Sequence, residues 1–285
     1  MSYKLLHHIS SIKKLEPISL TIDLTHKCNL NCHFCLVKNR PINEEEISLD
    51  KIEYVLDHLP SLKSVEIGAG EATLYHDFDG FVNLCNKKGL KIGMASNGYN
   101  LHKIDRSILS KISWIVIGCT TLIDTNNLMD FSWLPCRYSF NYVFNTKSPL
   151  DIKNRIEKFL SINKSYGYFQ FRLDINNTST SLSEVFDGIN INGVKKVNMP
   201  ERGKKRSGIC YYGRLKPYLV SDGNFYPCCV KVEDYDYSRA YPIAKWNEID
   251  KLLNATTIVN CNCTKWESQK MIESFLNDKD SEFVV

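Results

Sequence analysis

Apolar residues alternate between strand-like and helix-like spacing through the first two thirds of the chain. Short runs rich in β-branched residues predict buried strands, and apolar positions at a helical period predict the helices between them. The predicted strands are Ile18–Thr25, Ser64–Ile67, Leu90–Ala95, Trp114–Cys119, Tyr138–Phe144 and Tyr168–Ile175. The predicted helices lie between Ser48 and Pro60, and at Phe78–Lys88, Ile104–Leu109 and Ile152–Ile162. Strands that alternate with helices imply right-handed βαβ units and a parallel sheet, so we expect an α/β fold, a partial (β/α)6 TIM-like barrel.

The pattern changes near residue 200. Residues 193–198 predict one more strand, and Leu215–Val220 predicts a short strand that enters a tight hairpin turn at Ser221-Asp222-Gly223-Asn224. Trp246–Leu253 predicts a helix. We therefore divide the chain into a core domain, residues 1–200, and a small domain built from a β-hairpin and a helix, residues 201–285.

Composition alters this picture little. The chain has 285 residues, of which 43% are hydrophobic and 24% charged, as in an ordinary globular protein. Its net charge of +4 is too small to argue for nucleic acid as a partner. No apolar run approaches the ~20 residues that span a bilayer, and the N-terminus lacks the apolar core of a signal peptide. We expect a cytoplasmic protein with no membrane partner.

Eleven cysteines need an explanation, because metal binding or catalysis accounts for them better than disulfides in a reducing compartment. Cys28, Cys32 and Cys35 follow the first predicted strand in a C-x3-C-x2-C spacing. A [4Fe–4S] cluster normally takes four cysteines, so these three would leave one iron open. A structural zinc site, with His26 or His33 as its fourth ligand, is the alternative.

Two polar turns follow the next two predicted strands. Gly68-Ala69-Gly70-Glu71 comes after the second strand, and Ser96-Asn97-Gly98 comes after the third. The carboxyl ends of parallel strands meet at one edge of the sheet, where α/β proteins bind ligands. We therefore expect both turns to lie beside the cysteines, and a zinc site would not explain them.

Together these features resemble the radical S-adenosylmethionine (radical SAM) superfamily. The family signature, C-x3-C-x-aromatic-C, is matched by Cys28, Cys32, Phe34 and Cys35. The family's Gly-Gly-Glu-Pro-Thr-Leu motif is similar to residues 69–74, where alanine replaces the first glycine and the proline, and its Thr-Asn-Gly motif is similar to residues 96–98. The resemblance covers roughly residues 18–175, with the motifs in the family's order.

The resemblance implies roles for these residues. The three cysteines would hold a [4Fe–4S] cluster, and S-adenosylmethionine would chelate the open iron through its amino and carboxylate groups. Gly70 and Glu71 would meet the amino group, Ser96 and Asn97 would lie toward the ribose or carboxylate, and Phe34 would pack near the adenine. Reduction of the cluster would yield a 5′-deoxyadenosyl radical that abstracts a substrate hydrogen. The electron would come from a donor such as flavodoxin or ferredoxin.

Residues at other predicted strand ends are further candidates. Thr120 and Asn141 are expected to touch cofactor or substrate. Arg172 alternates with apolar neighbours, so we expect it to point into the barrel. Cys119 is a candidate hydrogen donor to a substrate radical, as in some epimerases of this family, and a packed thiol is the alternative.

A second cysteine set lies in the small domain. Cys210 and Cys228, with a glycine between them, form C-x12-G-x4-C, which is similar to the start of the SPASM or twitch extension of some radical SAM enzymes. In that extension a hairpin and a helix hold an auxiliary [4Fe–4S] cluster. Cys261 and Cys263 would complete the four ligands, unless Cys229 replaces one of them. Free buried cysteines, a [2Fe–2S] cluster or zinc are the alternatives.

Relatives with this layout commonly modify ribosomally made peptides, so the resemblance implies epimerisation or crosslinking of a peptide. Radical oxidation or rearrangement of a small sugar- or nucleotide-derived substrate is the alternative. A non-catalytic Fe–S or zinc protein that senses redox state is a more distant one, because a sensor does not need the turn at Glu71. The sequence leaves the substrate and the oligomeric state open.

Overall fold

Parallel strands alternate with helices in the first two thirds of the protein. The computed structural model describes residues 16–35, 37, 46–144, 148, 151–174, 194–196, 206–209, 211–227, 242–255 and 258–261. Strands β1 to β6 are Ser19–Ile22, Ser64–Ile67, Lys91–Ser96, Trp114–Gly118, Arg137–Phe144 and Phe169–Leu173. Helices α1 to α5 are Leu49–Asp57, Phe78–Lys87, Arg106–Leu109, Thr120–Asp124 and Ile152–Ile162, with 3-10 turns at Ala72–Leu74 and Leu101–Lys103.

The later elements are shorter. Strands β7 to β12 are Val194–Lys196, Arg206–Ile209, Tyr218–Leu219, Asn224–Tyr226, Ala244–Lys245 and Ile258–Cys261, and helices α6 and α7 are Tyr211–Leu215 and Ile249–Asn254. Strands β8 and β12 form a separate antiparallel pair, in which Ile209 lies opposite Ile258 and Arg206 opposite Cys261.

A single 10-stranded sheet joins most of the strands. Strands β1 to β6 pair in sequence order and in parallel, and β7 extends the sheet beyond β6. On the other side, β9 pairs in parallel with β1, and β10 and β11 follow as antiparallel neighbours. The predicted α/β fold with a parallel sheet is confirmed. The sheet includes strands from both sides of the boundary that we expected at residue 200.

The strands bury one face against the helices. Leu20 and Ile22 in β1 are fully buried, whereas Ser19 and Thr21, which alternate with them, are partly exposed. Further along the sheet, Phe140 in β5 meets the ring of Phe159 in α5 edge to face, with centroids 4.9 Å apart. This apolar face contributes to the core, whereas Gln170 and Arg172 on the opposite, more polar face of β6 are partly exposed.

Most helix boundaries follow local sequence signals. Ser48 precedes α1, and its hydroxyl accepts a hydrogen bond from the Lys51 backbone N–H at 3.5 Å. Asp77 caps α2 in the same way, accepting from Gly80 N–H at 3.2 Å. Helix α4 was not predicted, because its residues, Thr-Thr-Leu-Ile-Asp, include two threonines and an isoleucine, which favour strands.

No helix in the described part of the chain is long and apolar enough to cross a membrane.

Candidate metal and cofactor site

Three predicted site segments lie at the carboxyl ends of neighbouring strands. The cysteines follow β1, the turn at residues 68–71 follows β2, and Asn97 follows β3 directly. These strands are adjacent and parallel, so their carboxyl ends share one edge of the sheet. The expectation that the three segments lie together is met by direct contacts between them.

The loop that follows β1, residues 23–35, is called the cysteine loop, and its thiols lie near the surface. Cys28 is exposed, and Cys32 and Cys35 are partly exposed. Burial is the largest effect on the pKa of the Cys28 and Cys32 thiols and raises it above the usual value. The negative charge of Glu71 adds to the rise at Cys28, and the neighbouring cysteines add to it at both positions.

Within the described residues, no three His, Cys, Asp or Glu side chains lie close enough together to hold a metal ion. The chemistry of the donor set nevertheless fits an iron–sulfur cluster, because three neighbouring thiols on one loop are the ligands that iron–sulfur clusters take. His26 and His33 are the two candidates for the fourth ligand of the zinc alternative, and His26 has its Nε2 3.5 Å from Asp23 Oδ2. The ring of His33 packs edge to face on Phe34.

The turn at residues 68–71, called the glycine turn, packs against the cysteine loop and is hydrogen-bonded to it. Gly70 has φ +70°, and a Cβ there would lie 2.2 Å from the Thr25 carbonyl oxygen, so only glycine fits this close approach. On either side of it, Ala69 N–H donates to Asp23 Oδ1 at 2.7 Å and Glu71 N–H donates to the Lys27 carbonyl at 2.8 Å. The second motif and the first thus form one packed unit.

The Glu71 side chain connects the second turn to the third. It is only 1% exposed. Its Oε1 accepts hydrogen bonds from Ser96 Oγ at 2.9 Å, Thr73 Oγ1 at 2.7 Å and Thr73 N–H at 3.3 Å. Its Oε2 accepts from Asn97 N–H at 2.7 Å. Most of the accepting capacity of this carboxylate is therefore used within the protein, which gives Glu71 a positioning role besides the expected contact with a cofactor.

Asn97 returns to the cysteine loop. Its Nδ2 donates to Asn29 Oδ1 at 2.7 Å and lies 4.0 Å from Cys28 Sγ. The turn also holds its own shape, since Asn97 Oδ1 accepts from Tyr99 N–H and Ser96 Oγ accepts from Gly98 N–H, both at 3.0 Å. All three motifs are thus linked by hydrogen bonds into one closed arrangement.

Three further candidates each form a hydrogen bond within the protein. Thr120 is buried, and its hydroxyl accepts from Val143 N–H at 2.8 Å. Cys119 is fully buried, which raises its pKa well above the usual value, and its thiol donates to the Asn141 carbonyl at 3.4 Å. Arg172 is partly buried and donates to Gln170 Oε1 at 2.8 Å. The roles of these residues at a cofactor or substrate stay predictions.

Asn141 and Arg172 share the more polar face of the sheet. The register of β4 to β6 places Gly118, Asn141 and Gln170 side by side, with Arg172 two positions further along β6. Asn141 Oδ1 is buried without a hydrogen-bond partner. An unsatisfied buried acceptor at this edge is suited to meet a donor from a ligand.

Two contacts at this edge were not predicted. Thr121 in α4 lies with its Oγ1 3.8 Å from Cys32 Sγ. Tyr218 in β9 donates to the fully buried Asp23 at 2.5 Å, joining the C-terminal part of the sheet to the start of the cysteine loop. Thr121 adjoins the predicted Thr120, but nothing local in the sequence marks Tyr218, which is 195 positions from its partner.

The second cysteine set falls largely outside the described residues. This applies to Cys210, Cys228, Cys229 and Cys263, and for Cys261 only the backbone is described, as the last residue of β12. The auxiliary cluster therefore stays a prediction.

Comparison with known proteins supports the resemblance. Residues 22–130 match the family described as the Radical SAM superfamily. The sporulation killing factor maturation protein SkfB of Bacillus subtilis is 29% identical over 109 residues, which cover 38% of this chain and 27% of SkfB. A probable GTP 3′,8-cyclase of Sulfolobus acidocaldarius is 30% identical over 95 residues, covering 32% of this chain and 30% of the cyclase. The matches thus span less than a third of either relative.

The fold is similar to that of solved structures over most of the chain. SuiB of Streptococcus suis has a TM-score of 0.58 and 17% identity, with 97% of this chain and 70% of SuiB covered. SuiB has also been solved with S-adenosylmethionine and with the precursor peptide SuiA, each at a TM-score of 0.57. At this identity the likeness concerns the fold.

The family match covers the cysteine loop, the glycine turn and the Asn97 turn, which the structure brings into contact. The radical SAM superfamily is a family of enzymes, so the expectation of an enzyme is supported at the level of the superfamily. Residues 22–130 of this chain are similar to the Radical SAM superfamily.

Proposed function

We propose that this chain is a radical SAM enzyme that modifies a ribosomally made peptide, by epimerisation or crosslinking. The observation that carries the radical SAM part is the set of hydrogen bonds through which Glu71 and Asn97 link three motifs at one edge of the sheet. When bound there, the cluster and S-adenosylmethionine would supply a 5′-deoxyadenosyl radical that abstracts a hydrogen from the substrate.

The residues of this edge would hold and orient the two groups. Cys28, Cys32 and Cys35 would ligate the cluster as thiolates. Glu71 is buried and already accepts from Ser96 and Asn97, so it would act on S-adenosylmethionine mainly by fixing those two residues. A site fixed in advance in this way needs little rearrangement when the cofactor binds.

Peptide modification has support from the relatives. SkfB is named as a maturation protein, and SuiB has been solved with a precursor peptide. A second candidate, chemistry on a small nucleotide- or sugar-derived substrate, has support from the GTP 3′,8-cyclase. We favour the peptide because SuiB, whose fold is similar over nearly the whole of this chain, has been solved bound to a precursor peptide.

We also propose that Cys210, Cys228, Cys261 and Cys263 hold an auxiliary [4Fe–4S] cluster. Supporting this, β9 and β10 pair antiparallel as the predicted hairpin, whose second strand ends two residues before Cys228, and β12 ends in Cys261. In the β8–β12 pair, Cys261 lies opposite Arg206, four positions before Cys210. Four thiolate ligands would close such a cluster, and a closed cluster is suited to electron transfer. The electron that reduces the other cluster, at Cys28, Cys32 and Cys35, would come from flavodoxin or ferredoxin.

Release of 5′-deoxyadenosine tests the radical SAM assignment. The protein is reconstituted anaerobically with iron and sulfide and incubated with dithionite and S-adenosylmethionine. We expect release by the wild type and by Cys136→Ala, which removes a half-buried thiol just before β5, and loss of release in Cys32→Ala. No release by the reconstituted wild type under any reductant would contradict the assignment.

Incubation with candidate substrates in D2O tests the substrate class. The candidates are short peptides encoded by neighbouring genes, and we expect a substrate peptide to gain deuterium if it is epimerised, or to lose two hydrogens if it is crosslinked. An unmodified peptide, together with turnover of a nucleotide or sugar derivative, would favour the second candidate.

Iron content tests the auxiliary cluster. A variant with alanine at positions 28, 32 and 35 should still take up iron and sulfide after reconstitution. If it takes up none, the proposal for the second cysteine set is wrong.

A further inference from the structure

Thr121 contacts one of the three cysteines from a helix that the family motifs do not include. It lies in α4, directly after β4, and its Oγ1 is 3.8 Å from Cys32 Sγ, within hydrogen-bonding range for sulfur. Cys32 and Thr121 are both partly exposed. The contact therefore lies near the surface, beside a sulfur that would ligate the cluster.

The neighbouring threonines show that this orientation is specific to Thr121. Thr120 accepts a hydrogen bond from Val143 N–H, and Thr125 donates to the carbonyl of Thr121 at 2.7 Å. Both hydroxyls thus bind backbone groups, as threonines in and beside helices commonly do. Thr121 instead directs its hydroxyl toward the sulfur.

We infer that Thr121 donates a hydrogen bond to the Cys32 sulfur and thereby raises the reduction potential of the cluster that this sulfur ligates. The inference rests on the proposed function, which makes Cys32 a cluster ligand. A ligating cysteine is a thiolate and has no proton to donate, so Thr121 must be the donor. Hydrogen bonds to cluster sulfurs are among the features that set the potentials of iron–sulfur proteins.

The direction of the effect follows from charge. Reduction adds one negative charge to the cluster and its sulfurs, so a hydrogen bond to a ligand sulfur stabilises the reduced state more than the oxidised state. The potential then becomes less negative. Without the Thr121 hydroxyl, the same donor protein would reduce the cluster less completely.

Among the described residues, two side-chain donors lie within 4.0 Å of a cysteine sulfur of this loop, and Thr121 is one of them. The other, Asn97 Nδ2, lies 4.0 Å from Cys28 Sγ and already donates to Asn29 Oδ1 at 2.7 Å. The hydroxyl of Thr121 is closer to its sulfur. We therefore expect its loss to be measurable on its own.

A reductive titration followed by electron paramagnetic resonance tests the inference. The cluster at the cysteine loop is identified as the signal that changes when S-adenosylmethionine is added. Thr121→Val keeps the shape of the side chain and removes the hydroxyl, so we expect its midpoint potential to shift to a more negative value. Thr121→Ser keeps the hydroxyl, and Thr125→Val removes a hydroxyl at the C-cap of the same helix that binds a backbone carbonyl rather than a cysteine, so both should stay close to wild type.

Two results would overturn the inference. One is an unchanged potential in Thr121→Val, with an iron content equal to that of the wild type. The other is an equal shift in Thr121→Ser and Thr121→Val, since packing rather than the hydroxyl would then be responsible. A wild-type protein that takes up no cluster at Cys28, Cys32 and Cys35 would overturn the proposed function as well, whereas an unchanged potential overturns the inference alone.

Discussion

Replacing Glu71 by glutamine perturbs the connection between the motifs with almost no change in shape. The carboxylate accepts from Thr73 and Ser96 at Oε1 and from Asn97 N–H at Oε2. An amide has one oxygen and one NH2 group. If the NH2 group takes the Oε2 position, two donors face each other across the 2.7 Å that now separates Oε2 from Asn97 N. If it takes the Oε1 position, the Thr73 N–H loses its acceptor.

Either orientation leaves one backbone N–H unsatisfied at a side chain that is 1% exposed. A hydrogen bond to a charged group contributes ~1.5–3 kcal/mol, and an unsatisfied buried donor costs a similar amount. We therefore expect Glu71→Gln to lower the free energy of unfolding by roughly 2–3 kcal/mol. For a chain of this size, such a loss lowers Tm by about 5 °C.

Thermal unfolding of the apoprotein, followed by circular dichroism, measures this effect without the cluster. Glu53→Gln is the matched control, because it makes the same chemical change at an exposed position of α1. A Tm for Glu71→Gln equal to that of the wild type would refute the positioning role. It would also return Glu71 to a role in direct contact with the cofactor.

Three further changes test other parts of the site. Gly70→Ala should cost about 2–4 kcal/mol, because its Cβ would lie 2.2 Å from the Thr25 carbonyl at a positive φ, and iron uptake should fall with it. Tyr218→Phe removes a hydroxyl that donates to the buried Asp23, so denaturant unfolding should show a loss of ~1–2 kcal/mol. Burial raises the pKa of Asp124, so the folded state keeps this proton to higher pH than the unfolded state, and stability falls as pH rises from about 4 through the raised folded pKa. Asp124→Asn should remove that fall in unfolding free energy, and an unchanged pH profile would contradict this explanation.

The feature of the site that the sequence predicted best is the position of the three motifs at one edge of the sheet. Cysteines and glycine-rich turns at successive strand ends predict one shared edge, since parallel pairing brings those ends together whatever the loops do. The contacts between Glu71, Ser96 and Asn97 confirm that the second and third turns meet. Their detail was beyond the sequence, because a motif indicates that a carboxylate is needed and not which groups it binds.

The parts that sequence could not predict depend on contacts between distant segments. Residues 120–124 favour a strand by local propensity, yet they form α4 with Leu122 and Ile123 fully buried, because the core overrides the propensity. The contact of Thr121 with Cys32 depends on that helix. The pairing of β9 with β1 likewise brings Tyr218 to Asp23, although no local pattern connects them.

The central claim is that the three cysteines hold a cluster with one iron open to S-adenosylmethionine. The most direct test is the electron paramagnetic resonance spectrum of the reconstituted, reduced protein before and after S-adenosylmethionine is added. We predict a signal that changes on addition and that disappears in a variant with alanine at positions 28, 32 and 35. Two results would contradict the claim. One is a cluster signal that does not change when S-adenosylmethionine is added, and the other is a triple variant whose spectrum is the same as that of the wild type.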